Sequence, residues 1–166
     1  MTYFLVLLFA LLIGVVAGLR ALSAPAVVAW AGLLGWITLD GTWAQWVAHP
    51  ITVTVLSILA VGELVTDQLP STPSRRVPMQ FGARLVTAAF SGAVLATGAV
   101  YNATAWVVVG AIGAALIGAV VGTLGGAAAR QKLVAATGGR DLPIALVEDV
   151  VAIVGGFAVV ALASVI

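Results

Sequence analysis

Long apolar runs, rather than alternating apolar and polar positions, dominate this chain. Five stretches contain no Asp, Glu, Lys or Arg: 1–19, 21–39, 41–62, 85–129 and 150–166. About 20 apolar residues are enough for one helix to cross a bilayer, so the fourth stretch is long enough for two crossings. Because the ten-residue alternating segments of membrane barrels do not occur, the pattern predicts an all-α, polytopic transmembrane bundle.

Six hydrophobic segments are predicted within a single integral-membrane domain, 1–166. They are Tyr3–Leu19, Ala21–Leu39, Ile51–Leu69, Phe81–Tyr101, Ala103–Ala129 and Pro143–Ile166. We expect the second segment to be short, broken or re-entrant, because Arg20 and Pro25 crowd its start and its glycines make it irregular. A cleaved signal peptide is the alternative for the first segment, since Leu22-Ser23-Ala24 fits a cleavage site, but the N-terminus lacks the positive charge of such peptides.

Composition narrows the class of protein. Hydrophobic residues make up 63% of the chain and charged residues 8%, against about 25% charged in a soluble domain. A water-facing surface cannot be built from so few charges, which excludes soluble, disordered and nucleic-acid-binding classes. With no Cys and the single His49, we expect no metal site and no cofactor.

The cations predict an orientation. All seven lie in or beside the odd-numbered connections between segments: Arg20, Arg75, Arg76, Arg84, Arg130, Lys132 and Arg140. Positively charged loops stay in the cytoplasm, so both termini are predicted to be extracytoplasmic. Six aromatic residues fall near the opposite, outer ends, where amphipathic rings prefer to lie in the bilayer: Tyr3, Trp36, Trp43, Trp46, Tyr101 and Trp106.

Glycines are spaced for close helix packing in two segments. Gly14 and Gly18, and again Gly118 and Gly122, form GxxxG patterns that let another helix approach closely. The partner is a helix of the same chain or of a second copy, which would make a homo-oligomer. The two patterns also suggest a weak internal repeat, about 4–80 and 103–166, although chance similarity is the alternative.

Charged residues inside the hydrophobic segments are the main candidates for function. Glu63 and Asp67 share one helix face, and Glu148 and Asp149 lie one turn inside the sixth segment. With Arg20 and Arg84 they are predicted to form one cluster beneath the cytoplasmic surface. Each such group costs about 2.5–3.5 kcal/mol at the centre of a helix in a membrane, less near its ends. The cluster is interpreted either as a polar solute site or as ion pairs that fix helix ends.

The connection after the third segment is a second candidate. Three prolines stiffen 70–78, and five side chains there suit an anion such as a phosphate or lipid headgroup: Ser71, Thr72, Ser74, Arg75 and Arg76. A rigid connector with ordinary cytoplasmic arginines is the alternative. No catalytic residue is predicted, because the serines lack a histidine partner and no phosphate-binding glycine loop occurs.

Three runs carry a resemblance to a known family. Gly18–Pro25, Gly62–Pro70 with Pro73-Ser74-Arg75, and Leu146–Asp149 resemble those of a family of small bacterial integral-membrane proteins catalogued as a domain of unknown function. The resemblance implies a protein of the bacterial inner membrane in which these polar positions are the hallmark.

The cluster predicts a transporter or channel-like binder of a small polar solute or ion, reached from the cytoplasm. Two alternatives remain. One is a membrane enzyme or binder acting on phosphorylated lipid headgroups, and the other is a structural scaffold.

Overall fold

A computed structural model describes residues 1–67 and 77–165 of the chain. Within these residues all regular structure is helical, which confirms the all-α class. The helices are α1 (Tyr3–Leu19), α2 (Ser23–Leu33), a 3₁₀ helix (Gln45–Ala48), α3 (Pro50–Thr66), α4 (Pro78–Ala99), α5 (Ala105–Ala136) and α6 (Asp141–Val165).

Helices α1 and α5 form the centre of the bundle through their glycines. A Cβ added to Gly14 would overlap the Ala115 carbonyl, and one added to Gly118 would overlap the Leu11 carbonyl. The two contacts are equivalent, because Gly14 of α1 corresponds to Gly118 of α5 and Leu11 of α1 corresponds to Ala115 of α5. Two parallel helices thus meet about a local twofold axis, as the close approach of backbones at small residues allows.

The second glycine of each pattern continues the same contact. A Cβ on Gly18 would meet the Ala119 carbonyl, and one on Gly122 would meet that of Val15. The four glycines therefore contact a helix of the same chain. Their faces are occupied, so a second copy of the chain would have to bind at another surface.

Helices α4 and α6 both run antiparallel to this central pair. Arg84, near the start of α4, reaches the end of α1, while Gly92 lies against Ala111 and Ala115, so α4 runs antiparallel to both central helices. Helix α6 also runs against α1, because Asp149 near its start meets Arg20 at the end of α1. Helix α3 packs mainly on α2 and the 3₁₀ helix, and it makes no comparable packing contact with α1, α4, α5 or α6.

The second predicted segment is short, as expected. Helix α2 ends at Leu33 instead of Leu39, because Gly35 takes a left-handed conformation with φ of 72°. The chain then folds back over the end of the bundle, where Ile37 and Leu39 are buried and the Thr38 amide donates to the Gly98 carbonyl (2.9 Å). Residues 34–49 thus form a cap, which we call the aromatic cap because it holds Trp36, Trp43 and Trp46.

Helix α5 is longer than predicted. Its hydrophobic segment was expected to end at Ala129, but the helix continues through Arg130 and Lys132 to Ala136. Both residues are good helix formers, so their charge ends the apolar run without ending the helix. At 1.5 Å per residue, α5 is about 48 Å long and exceeds the thickness of a bilayer core.

Within the described residues, three helices, α4, α5 and α6, are long and apolar enough to cross a membrane, while α1, α2 and α3 are shorter apolar helices. Large apolar side chains also cover the outside of the bundle, among them Phe4, Ile51 and Val86. These features indicate a membrane protein. The six-pass count and the orientation of the termini stay predictions.

Candidate functional site

Arg20 lies at the centre of a buried charged cluster. It follows the last residue of α1 and its side chain is 0% exposed. Its Nε donates to Asp149 Oδ1 (2.6 Å), and its Nη1 forms an ion pair with Asp67 Oδ2. Its Nη2 lies 3.7 Å from Glu148 Oε2. One guanidinium thus joins the end of α3 to the start of α6.

Arg84 is the second buried cation and lies beside the first. Its Nη1 donates to the Gly18 and Leu19 carbonyls (3.2 and 2.8 Å), which are left without helical partners where α1 ends. Its Nη2 lies 3.7 Å from Asp67 Oδ2 and 3.9 Å from Glu63 Oε1. Asp67 is therefore shared between Arg20, just after the end of α1, and Arg84 of α4.

Glu63 holds the turn between α1 and α2. Its two carboxylate oxygens accept hydrogen bonds from the backbone amides of Ala21 and Leu22, both at 2.7 Å. Because a carboxylate that accepts amide hydrogen bonds satisfies backbone donors at a helix start, Glu63 positions the first turn of α2. Glu63 and Asp67, one helical turn apart, thus attach the end of α3 to the central bundle.

The structure brings together all six predicted cluster residues: Arg20, Glu63, Asp67, Arg84, Glu148 and Asp149. Each of the four acids forms an ion pair with at least one of the two arginines. Among the described residues, no group of His, Asp or Glu side chains is arranged to hold a metal ion. The second candidate set, Ser71, Thr72, Ser74, Arg75 and Arg76, lies outside the described residues.

Sequence reasoning missed the extension of the cluster along α5. Arg130 Nε and Nη2 donate to the two oxygens of Asp141 (2.9 and 2.7 Å), and Nη1 lies 3.5 Å from Glu148 Oε2. Arg130 had been assigned only to a cytoplasmic connection. The sequence did hold a signal for this contact: Arg130 follows the apolar run of the fifth segment directly, on the side of the membrane where Glu148 was predicted.

A narrow crevice opens beside the cluster between α2, α3 and α6. Its volume is about 180 Å³, and its lining is mostly apolar, including Val27, Leu64 and Phe157. An apolar cavity of about 150 Å³ holds a ligand the size of benzene. The Trp30 indole donates to Ser57 Oγ (3.0 Å) at its wall.

Ser23 is the unusual polar group of this crevice, and the sequence did not single it out. Its side chain is buried, and within residues 1–67 and 77–165 its hydroxyl has no hydrogen-bond partner. Buried polar groups are nearly always paired, so an exception calls for an explanation. The Ser23 amide donates to the Arg20 carbonyl (3.3 Å), so the crevice lies within one turn of the backbone at the charged cluster.

Comparison with known proteins found no matching family model, no matching curated protein and no matching solved structure. Membership of the small bacterial membrane-protein family therefore stays a prediction. The chemistry of the cluster is the basis for any assignment of function.

Proposed function

We propose that this chain is a membrane protein that binds and moves a small polar solute or ion. The proposed site is the charged cluster of Arg20, Glu63, Asp67, Arg84, Glu148 and Asp149. The observation that carries the proposal is the fully buried Arg20 guanidinium, which pairs with carboxylates of two helices, α3 and α6, that have little other packing between them. A contact of this kind can open without disrupting a packed helix interface.

Stability alone is a weak reason for such a cluster. Replacing a buried ion pair by apolar side chains of similar volume is often neutral or stabilising, because desolvation offsets the attraction between the charges. Ionisable side chains inside membrane segments commonly mark the path of an ion or a substrate. A role in binding a solute therefore explains the cluster more readily than a role in holding the ends of the helices together.

The crevice supports the same proposal. Leaving a buried hydroxyl unpaired costs about 1–3 kcal/mol, and a polar group of a solute placed beside Ser23 would remove this cost. Helix α3 lines the crevice and also carries Glu63 and Asp67. Movement of α3 away from Arg20 would join the crevice to the cluster. An anion would then replace Asp67 at the arginines, or a cation or proton would replace an arginine at the acids.

The test deletes charge while keeping size. Glu63→Gln, Asp67→Asn and Glu148→Gln are purified and heated with sodium, potassium, inorganic phosphate and small carboxylates, and each probe is also tested for flux into liposomes. For the wild type we expect at least one probe to raise Tm progressively with its concentration, as mass action requires. At least one variant should keep Tm at or above that of the wild type and lose this response, since functional polar sites are commonly held at a cost to stability.

Asp141→Asn is the matched control. Asp141 also pairs with an arginine, but its side chain is 55% exposed and it contacts neither Arg20 nor Arg84 in the described ion pairs. This variant should keep the ligand response. If all three cluster variants lose stability and no probe shifts the wild type, the cluster is a structural scaffold and the proposal is wrong.

A further inference from the structure

A second, larger cavity lies in the aromatic cap, at the end of the bundle opposite the charged cluster. Its volume of about 580 Å³ falls within the 300–1,000 Å³ of typical small-molecule sites. Its lining includes Asp40, Trp43, Gln45, Trp46 and His49. The sequence had marked the tryptophans only as residues of a membrane-interface belt.

Asp40 gives this cavity one uncompensated negative charge. It is the only Asp, Glu, Lys or Arg between Arg20 and Glu63, and it makes no ion pair with any described residue. His49 does not compensate it. The two side chains form no ion pair, and His49 Nδ1 instead accepts a hydrogen bond from the Ile51 amide (3.3 Å) at the start of α3.

The two tryptophans are held in place but remain accessible. The Trp43 indole donates to Thr97 Oγ1 (3.1 Å), and the rings of Trp43 and Trp46 lie 6.5 and 5.9 Å from the ring of Phe90. Their side chains are nevertheless 53% and 54% exposed. Fixed indoles lose little conformational entropy when a ligand binds, so the wall is already organised for contact.

We propose that this cavity binds an organic ammonium group, with Asp40 as its counter-ion and Trp43 and Trp46 as its aromatic wall. Tryptophan attracts cations over its ring more strongly than other side chains do, and quaternary ammonium groups are the ligands for which such walls are best known. The same carboxylate repels phosphates and carboxylates. The ammonium belongs either to a lipid headgroup or to a free amine, and the site is independent of the function proposed for the charged cluster.

The test uses the full chain in nanodiscs of phosphatidylglycerol, which has no ammonium group, at about 0.15 M salt, where exposed charges more than about 8 Å apart are largely screened. Tryptophan fluorescence is titrated with choline and with 3,3-dimethyl-1-butanol, which has the same shape without the charge. We expect saturable binding of choline and an affinity at least about fivefold lower for the neutral analogue, since the analogue loses the attraction of the charge both to the indole rings and to the Asp40 carboxylate. Asp40→Asn should raise the Kd for choline by a similar factor.

Two control variants separate this site from others. Trp106→Phe removes an 82% exposed tryptophan outside the cavity and should leave the Kd unchanged. Asp67→Asn alters the charged cluster and should also leave the Kd for choline unchanged. Failure of the function proposed for that cluster would therefore not affect this result. Repeating the titration in phosphatidylcholine nanodiscs distinguishes the two sources of the ammonium group. If the cavity binds lipid headgroups, phosphatidylcholine competes with choline and weakens its apparent binding. If the cavity binds a free amine, the Kd for choline is unchanged.

The proposal is wrong if choline gives no saturable response in phosphatidylglycerol nanodiscs. It is equally wrong if choline and the neutral analogue bind with the same affinity to the wild type, a comparison that does not depend on the folding of any variant.

Discussion

The contact between α1 and α5 gives a direct test of the fold, through two glycines of α5 that differ only in their surroundings. Gly118 faces α1, where an added Cβ would overlap the Leu11 carbonyl oxygen and lie 2.9 Å from the Val15 amide nitrogen. At Gly113 an added Cβ meets no atom of the described residues within 4 Å. Gly118→Ala and Gly113→Ala therefore make the same chemical change on one helix in a packed and an open position.

Only the packed position should lose stability. The atoms that Gly118→Ala would overlap belong to helical backbone, which cannot rotate away as a side chain can, so the helices must separate. Overpacking of this kind costs about 1–3 kcal/mol. In the open position alanine is the better helix former, so Gly113→Ala should be neutral or stabilising by up to about 1 kcal/mol.

Thermal unfolding of the detergent-solubilised protein, followed by circular dichroism, measures the difference. For a chain of this size 1 kcal/mol shifts Tm by about 2–4 °C, so Gly118→Ala should lower Tm by about 2–12 °C. Gly113→Ala should leave Tm unchanged or raise it slightly. Equal shifts in the two variants, or a Gly118→Ala protein as stable as the wild type, would refute the packing of α1 on α5 through these faces.

Two further predictions concern topology and the unpaired hydroxyl. Cysteines introduced at Ser74 and Thr137 should be protected from an impermeant thiol reagent in intact cells, and one at Thr42 should be labelled, because loops rich in cations stay in the cytoplasm; labelling at Ser74 would reverse the orientation. Ser23→Ala should keep or raise Tm, because it removes a buried hydroxyl that has no partner among the described residues. Ser91→Ala should lower Tm, because that buried hydroxyl donates to a backbone carbonyl at 2.7 Å. A Ser23→Ala protein destabilised as much as Ser91→Ala would mean that the Ser23 hydroxyl has a partner.

The sequence by itself determined the helical class and the glycine faces. Both depend on local properties: unbroken apolar runs require backbone hydrogen bonds within each segment, and glycines spaced by four lie on one face of a helix. The association of the acids with Arg20 and Arg84 was also predictable, because charges inside a membrane segment are costly unless they pair.

Only the tertiary structure decided which groups meet. The sharing of Asp67 between two arginines, the contact of Arg130 with Glu148 and the choice of α5 as the partner of α1 depend on how far each helix is shifted and rotated relative to the others. The aromatic cap and the unpaired Ser23 hydroxyl have the same origin. The periodicity of a sequence identifies which face of a helix is packed, but not how far along its axis the helix meets its neighbour. Packing of the helices sets that shift, and it therefore decides which residues far apart in the chain come into contact.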